Sequence, residues 1–385
     1  MPWGVSSKTG PLAPLRGPSL PALTRNDTFG HVLVGAPALS RLVLNLAALL
    51  LALALPSALR AQPAEQRIVA VADLHGDYGA WLDIARDAKL IDAANHWAGG
   101  RATLVQLGDI SDRGPDTLKI IRHLQQLQRE SMTAGGRVVV ILGNHEAMNV
   151  TGDLRYVTPQ EYGAFADTQS PARREVWFND NRKAILAAAR AKNPKATEAE
   201  AKAAWIASTP LGWVEHRRAW LPSGEIGRWA AARPAIAKIG TFLFVHGGIS
   251  AEYSEQSINS INNKVAAAMR RADDSLESIL ADPLGPLWYR GLIARDNDAE
   301  TIRSQQPGYK YLPPAQEVDL ILKTYGARHI VVGHTPTLKG VTILHGGKLV
   351  RADTGISRYY KGPLGWLEIV GETMTPRVAQ RSAPR

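Results

Sequence analysis

The chain contains no cysteine among its 385 residues. It can therefore form no disulfide, bind no metal ion through a thiolate and carry no lipid on an N-terminal cysteine. The absence also excludes any mechanism that attacks a phosphate ester with a thiolate. An enzyme acting on such esters would have to use water, serine or aspartate as its nucleophile.

Long blocks of one charge sign are also missing. Lys and Arg total 45 against 35 Asp and Glu, giving a formal charge of +10, but much of the excess lies before residue 42 and in the last ten residues. No basic run could follow a nucleic-acid backbone, so we expect no nucleic-acid partner. Residues 376–385 are predicted to be a basic tail.

One long apolar run is present near the N-terminus, at residues 42–55. Arg41 precedes it, and Pro56 with small residues follows, which is typical of a secretory signal peptide. Residues 1–62 are therefore predicted to be a leader, and the mature chain to cross the inner membrane to the periplasm with no membrane partner. The alternative is an uncleaved membrane anchor formed by residues 42–59.

Five apolar segments each end in a polar loop. Their residues are 67–72, 103–107, 137–142, 241–245 and 330–332. The first three alternate with helical patterns, which predicts an α/β fold with a largely parallel sheet and a ligand site at the carboxyl ends of its strands. Short apolar segments at 341–344, 349–352 and 366–370 predict a second sheet packed on the first.

Residues 151–234 have a different texture, with several tryptophans and many alanines. Thr197 and Glu200 have the spacing of a capping box, which starts a helix. We therefore predict a helical insertion beside the site, not a second catalytic unit.

The strand-end loops carry oxygen and imidazole groups that can bind metal ions. These residues are Asp73, His75, Asp109, Asn144, His246 and His334. Such ligands without thiolate suit Mn, Fe or Zn. A carboxylate can bridge two ions, and two ions roughly 3.5–4 Å apart can hold both the attacking and the leaving oxygen of a displacement. The set predicts a two-metal hydrolytic site with a shared hydroxide as the nucleophile.

Three further residues in these loops supply what metal ions do not. His145 can protonate the leaving oxygen, and Asp112 can keep that imidazole protonated and oriented. Arg113 offers a planar fork that matches phosphate oxygens. Each loop alone is more typical of turn chemistry, so it is the ordered set of five that indicates function.

The motif series resembles that of the calcineurin-like metallophosphoesterases. It consists of Asp73-x-His75-Gly76, Gly108-Asp109-x-x-Asp112-Arg113-Gly114, Gly143-Asn144-His145-Glu146, His246-Gly247-Gly248 and Gly333-His334. The second and third motifs resemble the phosphoprotein phosphatase branch, and segments 149–156 and 285–291 resemble the Shewanella-like (bacterial-type) phosphatases. The likeness covers about residues 67–371. It implies a central β-sandwich of two mixed sheets flanked by helices, in a domain spanning residues 63–375.

The resemblance also implies roles. It assigns Asp73, His75 and Asp109 to one ion, and Asp109, Asn144, His246 and His334 to the other, with Asp109 bridging. It makes His145 the general acid and Asp112 its partner, with Arg113 and, more loosely, Arg290 as phosphate-binding arginines. Two departures stand out: Ala72 replaces the usual glycine, and the segment after Glu146 differs from eukaryotic members, so their substrates and inhibitors cannot be carried over.

The implied function is hydrolysis of phosphomonoesters on phosphorylated proteins or peptides, with phosphotyrosine and phosphoserine or phosphothreonine both open. The alternatives are a small-nucleotide or dinucleoside polyphosphate hydrolase, and a catalytically inactive binding module. Asp353 is predicted either to support the site or to form a turn. His216, followed by Arg217 and Arg218, is predicted to lie on a solvated helix face.

Overall fold

The structure, a computed structural model, describes residues 66–295 and 308–382. The predicted leader, with its apolar core at 42–55 and the alternative anchor at 42–59, lies outside the described residues. Among the residues that are described, no helix combines the length and the apolar character needed to span a membrane.

The described residues form two five-stranded sheets. Their strands are β1 (Arg67–Val71), β2 (Thr103–Gln106), β3 (Arg137–Val140), β4 (Ile236–Ile239), β5 (Phe242–Val245), β6 (His329–Val332), β7 (Thr342–Leu344), β8 (Leu349–Arg351), β9 (Leu364–Val370) and β10 (Thr373–Ala379). The first sheet has the order β10-β9-β1-β2-β3, and the second has the order β4-β5-β6-β8-β7.

Both sheets are mixed. In the first, β1 pairs in parallel with β2 and β2 with β3, whereas β9 is antiparallel to β1 and β10. In the second, β5, β6 and β8 are parallel, and β4 and β7 are antiparallel edge strands. Residues 366–370 were predicted in a second sheet, which is wrong. They belong to β9, which the connection from β8 brings beside β1 in the first sheet.

The two sheets face each other across an apolar layer. Alternation along each strand puts Ala70, Val105 and Leu367 of the first sheet into this layer with Phe244 and Val331 of the second. The alternate residues of the same strands face outward and pack against helices. The predicted sandwich of two mixed sheets flanked by helices is confirmed.

Ten α-helices lie among the described residues. They are α1 (Tyr78–Asp87), α2 (Thr117–Thr133), α3 (Asn144–Thr151), α4 (Pro159–Gly163), α5 (Ser170–Lys192), α6 (Glu198–Ser208), α7 (Trp213–Trp220), α8 (Glu225–Ala231), α9 (Ile258–Arg271) and α10 (Pro314–Tyr325). Helix α1 shows how they start and pack. The Asp77 side chain accepts the Ala80 N–H at 3.0 Å, and Trp81, Ile84 and Ala85 are buried on one face.

The segment predicted as a helical insertion, residues 151–234, contains α4 to α8. Helix α6 begins with the capping box expected from Thr197 and Glu200. Helix α5 is the longest of the five, and most of its surface is exposed.

Residues 376–379 of the predicted basic tail belong to a strand, and the described residues 380–382 follow it. Strand β10 extends to Ala379 and pairs along its length with β9. Its one arginine, Arg377, lies 2.8 Å from the Glu368 carboxylate. Arg381, just after the strand, lies 3.2 Å from the Asp77 carboxylate. These carboxylates pair with the basic charges at the end of the described chain.

Candidate active site

The predicted ligands lie at one edge of the sandwich, directly after five parallel strands. Asp73 and His75 follow β1, Asp109 follows β2 and Asn144 follows β3. His246 and His334 follow β5 and β6 of the other sheet. All six side chains are at most 5% exposed, so every predicted ligand is buried at this edge.

The loops after β1 and β2 are joined by backbone hydrogen bonds. The amides of Leu74 and His75 donate to the Asp109 carbonyl at 2.9 and 3.0 Å. A Cβ on Gly76 would lie 2.6 Å from the carbonyl carbon of Gly114, so this close backbone approach requires glycine.

Glu146 fixes the loop after β2. Its carboxylate accepts the N–H groups of Asp109, Ile110, Ser111 and Gly143 at 2.9–3.0 Å. The hydroxyl of Ser111 donates to it as well. Glu146 was assigned no separate role from the sequence. A Glu three residues after a helix N-cap position is nevertheless a signal for a hydrogen bond between its carboxylate and a backbone N–H.

The site backbone is strained. Five of its residues have positive φ angles: His75 (43°), Asp109 (51°), Asp112 (71°), Arg113 (63°) and His334 (63°). Non-glycine residues seldom adopt this region, and they keep it only where the surrounding structure holds them. The strain therefore coincides with the functional loops.

Asp109 is the centre of the arrangement. One oxygen, Oδ1, lies 3.3 Å from His246 Nε2, and the other, Oδ2, lies 3.9 Å from His75 Nε2. Two groups of potential ligand atoms, each within 4.8 Å of one another, share this residue: His75, Asp109 and His145, and Asp109, His246 and His334. This is the geometry expected of a bridging carboxylate. The Asn144 side-chain oxygen lies 2.9 Å from His246 Nε2.

Asp73 lies outside both groups. Its two oxygens accept the backbone N–H of His334 at 3.1 and 3.2 Å. It is therefore at the site, but its assignment to one particular ion stays a prediction.

The histidine rings are oriented as metal ligands require. His75 Nδ1 lies 3.0 Å from the Ser111 carbonyl, and His246 Nδ1 lies 2.8 Å from the Leu107 carbonyl. A carbonyl can only accept, so Nδ1 carries the hydrogen in each ring and Nε2 faces Asp109. Ligating histidines commonly donate their second ring N–H to a carbonyl in this way.

The electrostatics of the predicted ligands also favour bound cations. Burial and the charge of Asp353 raise the pKa of Asp73 well above its usual value. Burial and Arg290 lower the pKa of His334 far below its usual value, leaving a neutral imidazole. Its Nε2 is buried and has no hydrogen-bond partner among the described residues. Crowded carboxylates beside an unpartnered imidazole nitrogen are a donor set that metal ions suit.

His145 and Asp112 form a buried pair. His145 Nδ1 lies 2.5 Å from an Asp112 carboxylate oxygen, and the other oxygen accepts from the Asn149 amide at 2.8 Å. Burial lowers the pKa of His145, but the carboxylates of Asp109 and Asp112 outweigh it and raise the pKa above its usual value. The pair can therefore hold a proton for a leaving group.

Both predicted arginines reach the site. An Arg113 guanidinium nitrogen lies 3.1 Å from His75 Nε2, and an Arg290 guanidinium nitrogen donates to the His334 carbonyl at 2.7 Å. Three tyrosines, which we call the tyrosine collar, surround Arg113. The ring centroids of Tyr156, Tyr359 and Tyr360 lie 5.0, 5.3 and 5.0 Å from its guanidinium carbon.

The tyrosine collar was not predicted from the sequence. Predictions were made for Asp353 and His216. Asp353 is buried where it raises the pKa of Asp73, and it also accepts the Gly355 N–H at 2.9 Å, so it does both things that were considered. The solvated helix face predicted for His216 is wrong. This side chain is completely buried, because Tyr162 and Phe165 pack edge-on against its ring.

Comparison with known proteins is consistent with this geometry. Residues 66–338 match the model of the calcineurin-like phosphoesterase family. An uncharacterized protein of Schizosaccharomyces pombe is 30% identical over 313 residues, covering 78% of this chain and 76% of the relative. Shewanella-like protein phosphatase 2 of Arabidopsis thaliana is 29% identical over 301 residues, covering 76% and 72%.

A crystal structure is also similar, that of the cold-active protein-tyrosine phosphatase of a psychrophilic Shewanella species. It is 26% identical, with a TM-score of 0.56, and the match covers 82% of this chain and 81% of that one.

Replacing Asp109 with Asn should remove bound metal, because both ligand groups share this carboxylate. We expect the metal affinity to fall by more than about 100-fold, beyond the loss seen when a merely supporting residue is changed. Elemental analysis of the dialysed protein measures this. Asp116→Asn is the matched control, since the Asp116 carboxylate pairs with Lys119 at 2.6 Å and belongs to neither ligand group. Equal metal content in both variants would contradict the central position of Asp109.

Proposed function

The chain belongs to the calcineurin-like phosphoesterase family, and from this premise we propose that it is a protein phosphatase. Membership makes it a metal-dependent phosphoesterase. The observation that carries the proposal is that the six predicted ligands are buried at one edge of the sandwich, beside the His145–Asp112 pair and two arginines. The protein phosphatase names of the Arabidopsis relative and the Shewanella structure favour phosphorylated proteins or peptides over small nucleotides.

We propose that six side chains hold two metal ions of the Mn, Fe or Zn type: Asp73, His75, Asp109, Asn144, His246 and His334. When bound, such ions supply Lewis-acid stabilisation of phosphoryl oxygens and lower the pKa of a water molecule. The carboxylates of Asp109 and Asp73 outweigh burial and raise the pKa of His246 to about 9. Loading the site would therefore release a proton from this ring.

The remaining residues act on the substrate directly. His145 gives its proton to the leaving oxygen, and Asp112 holds the imidazole in the required orientation. Arg113 and Arg290 bind the phosphate oxygens and offset their charge. Phosphoryl transfer depends mainly on positioning and charge stabilisation, so this set is sufficient in kind. The intact acid pair argues against an inactive binding module.

Replacing His145 with Asn should reduce turnover by about 10²–10⁴-fold, because the leaving group loses its proton donor. Metal content should stay at the wild-type level. Steady-state kinetics on a phosphopeptide, with and without chelator, and elemental analysis measure the two effects. His96→Asn is the control, because His96 is exposed and pairs with Glu130. Unchanged turnover in His145→Asn would remove the assignment of the general acid.

The tyrosine collar bears on the choice of substrate side chain. Tyr359 is 62% exposed although it is large and apolar, and it lies beside the arginine that would bind the phosphate. An aromatic ring carrying that phosphate could pack against it, whereas a serine side chain would be too short. We therefore propose that phosphotyrosine is accepted.

Replacing Tyr359 with Ala should lower kcat/KM for a phosphotyrosyl peptide by about 3- to 10-fold, the range expected for one lost aromatic contact. Turnover of the matched phosphoseryl peptide should change less. Tyr359→Phe keeps the ring and should behave like the wild type on both peptides. An equal loss on both peptides in Tyr359→Ala would show that the residue does not select the side chain.

We propose that the protein is secreted across the inner membrane, with the periplasm as its location. The support is the apolar run at 42–55 between Arg41 and Pro56. After expression of the full chain, N-terminal sequencing of the soluble periplasmic protein should give a start shortly after residue 56. Recovery of the intact chain from the membrane fraction would instead favour the anchor at 42–59.

A further inference from the structure

A group of polar side chains is buried behind Asp112 without the partners that burial normally requires. Glu161, His216 and Thr117 are each completely inaccessible to solvent. Both carboxylate oxygens, both ring nitrogens and the hydroxyl lack a hydrogen-bond partner of ordinary geometry among the described residues. Such groups are rare in folded proteins and call for an explanation.

These three residues come from separate elements beside the acid pair. Thr117 starts α2, just after the loop that carries Asp112, whereas Glu161 and His216 belong to α4 and α7 of the insertion. Helix α7 packs against both α4 and α3, the helix that carries His145. His216 Nε2 lies 3.9 Å from a Glu161 oxygen. The insertion therefore extends a carboxyl group to the back of the catalytic loop.

Burial favours the neutral form of both groups of the Glu161–His216 pair. Burial, and then the charge of Asp112, raise the pKa of Glu161 well above its usual value, although the Thr117 hydroxyl and the Asp112 N–H oppose this. Burial and Arg217 lower the pKa of His216 to about 3. In its neutral form, Glu161 adds no second negative charge next to Asp112.

The insertion also holds the same loop at two other points. The Arg113 N–H donates to the Tyr156 carbonyl at 2.9 Å. Arg217 donates to the Asn149 carbonyl at 2.5 Å, and the Asn149 amide donates to Asp112 at 2.8 Å. Since Asp112 and Arg113 both have positive φ, at 71° and 63°, this loop needs support from outside itself.

We propose that Glu161 is a positioning residue for the acid pair, a buried carboxyl group through which the helical insertion aims Asp112 at His145. This role rests on the proposed phosphatase function. Glu161 touches neither substrate nor ligands, so it acts only through Asp112 and His145.

A positioning role differs measurably from a purely structural one. A general acid matters most when the leaving group is a strong base, and hardly at all when it is a weak one. Loss of Asp112 alignment should therefore slow phenyl phosphate hydrolysis much more than hydrolysis of p-nitrophenyl phosphate, whose leaving group is the weaker base. General destabilisation would slow both esters by the same factor.

The experiment uses the metal-loaded full-length protein and compares kcat for these two esters. Glu161→Ala should lower kcat for phenyl phosphate at least about 10-fold more than kcat for p-nitrophenyl phosphate. Glu161→Gln, which keeps the shape of the group and cannot ionise, should stay within about threefold of the wild type on both. In a His145→Asn background, Glu161→Ala should have almost no further effect, because the two changes act through one group.

Glu215→Ala is the matched control. Glu215 precedes His216 in α7, but its carboxylate binds Ser170 and Arg173, so any loss should be equal for both esters. If Glu161→Ala does not give a cooperative thermal unfolding transition, Glu161→Asp, which is one methylene shorter, should show the same selective loss.

An equal loss on both esters, no loss, or a full effect in the His145→Asn background would overturn the positioning role. A wild-type protein that hydrolyses neither ester would instead overturn the proposed function, and this role with it. The two failures are therefore distinguishable.

Discussion

The site depends on one interaction, in which four backbone N–H groups donate hydrogen bonds to the carboxylate of Glu146. These bonds join the loop after β2 to the start of α3, and so fix Asp109 relative to His145. Burial and the charge of Asp109 raise the pKa of Glu146, while the amide hydrogens oppose that shift and make a buried carboxylate tolerable. The position of Asp109 relative to the other predicted ligands therefore depends on these hydrogen bonds.

The same constraint explains how a strained backbone persists. Positive φ angles at five functional residues cost of the order of 1–3 kcal/mol each, and the hydrogen bonds between the loops help to offset that cost. The packed layer between the sheets makes these bonds possible, because it holds the ends of three parallel strands of one sheet near those of two parallel strands of the other. The loops can then be joined to one another by hydrogen bonds. The packed sheets thus provide most of the stability, whereas the backbone strain lies in the loops at their edge.

The ligand set could be predicted because each residue directly follows an apolar strand, and parallel strands end at one edge. The tyrosine collar could not, since Tyr156 and Tyr359 are about 200 positions apart and nothing in the sequence indicates that they meet around Arg113. His216 was misjudged because Arg217 and Arg218 suggested a solvated face. The apolar residues Trp213 and Trp220, at helical spacing on either side of it, were the better signal. The last strand was misjudged because Arg377, within it, and Arg381, just after it, suggested a basic tail, although Glu368 and Asp77 lie within reach in the fold.

The helical insertion can vary between members of one family, and it contacts the site. The ligands come from strand ends that the sandwich fixes, so they can remain the same while the segment after Glu146 changes. That segment, however, supplies Tyr156 to the collar around Arg113 and Arg217 to the support of Asn149. It therefore contacts Arg113, which is proposed to bind phosphate, and Asn149, which donates to Asp112 of the proposed acid pair. Changes in the insertion can alter substrate choice and leaving-group preference without altering the metal ligands, and a shared fold alone cannot report those properties.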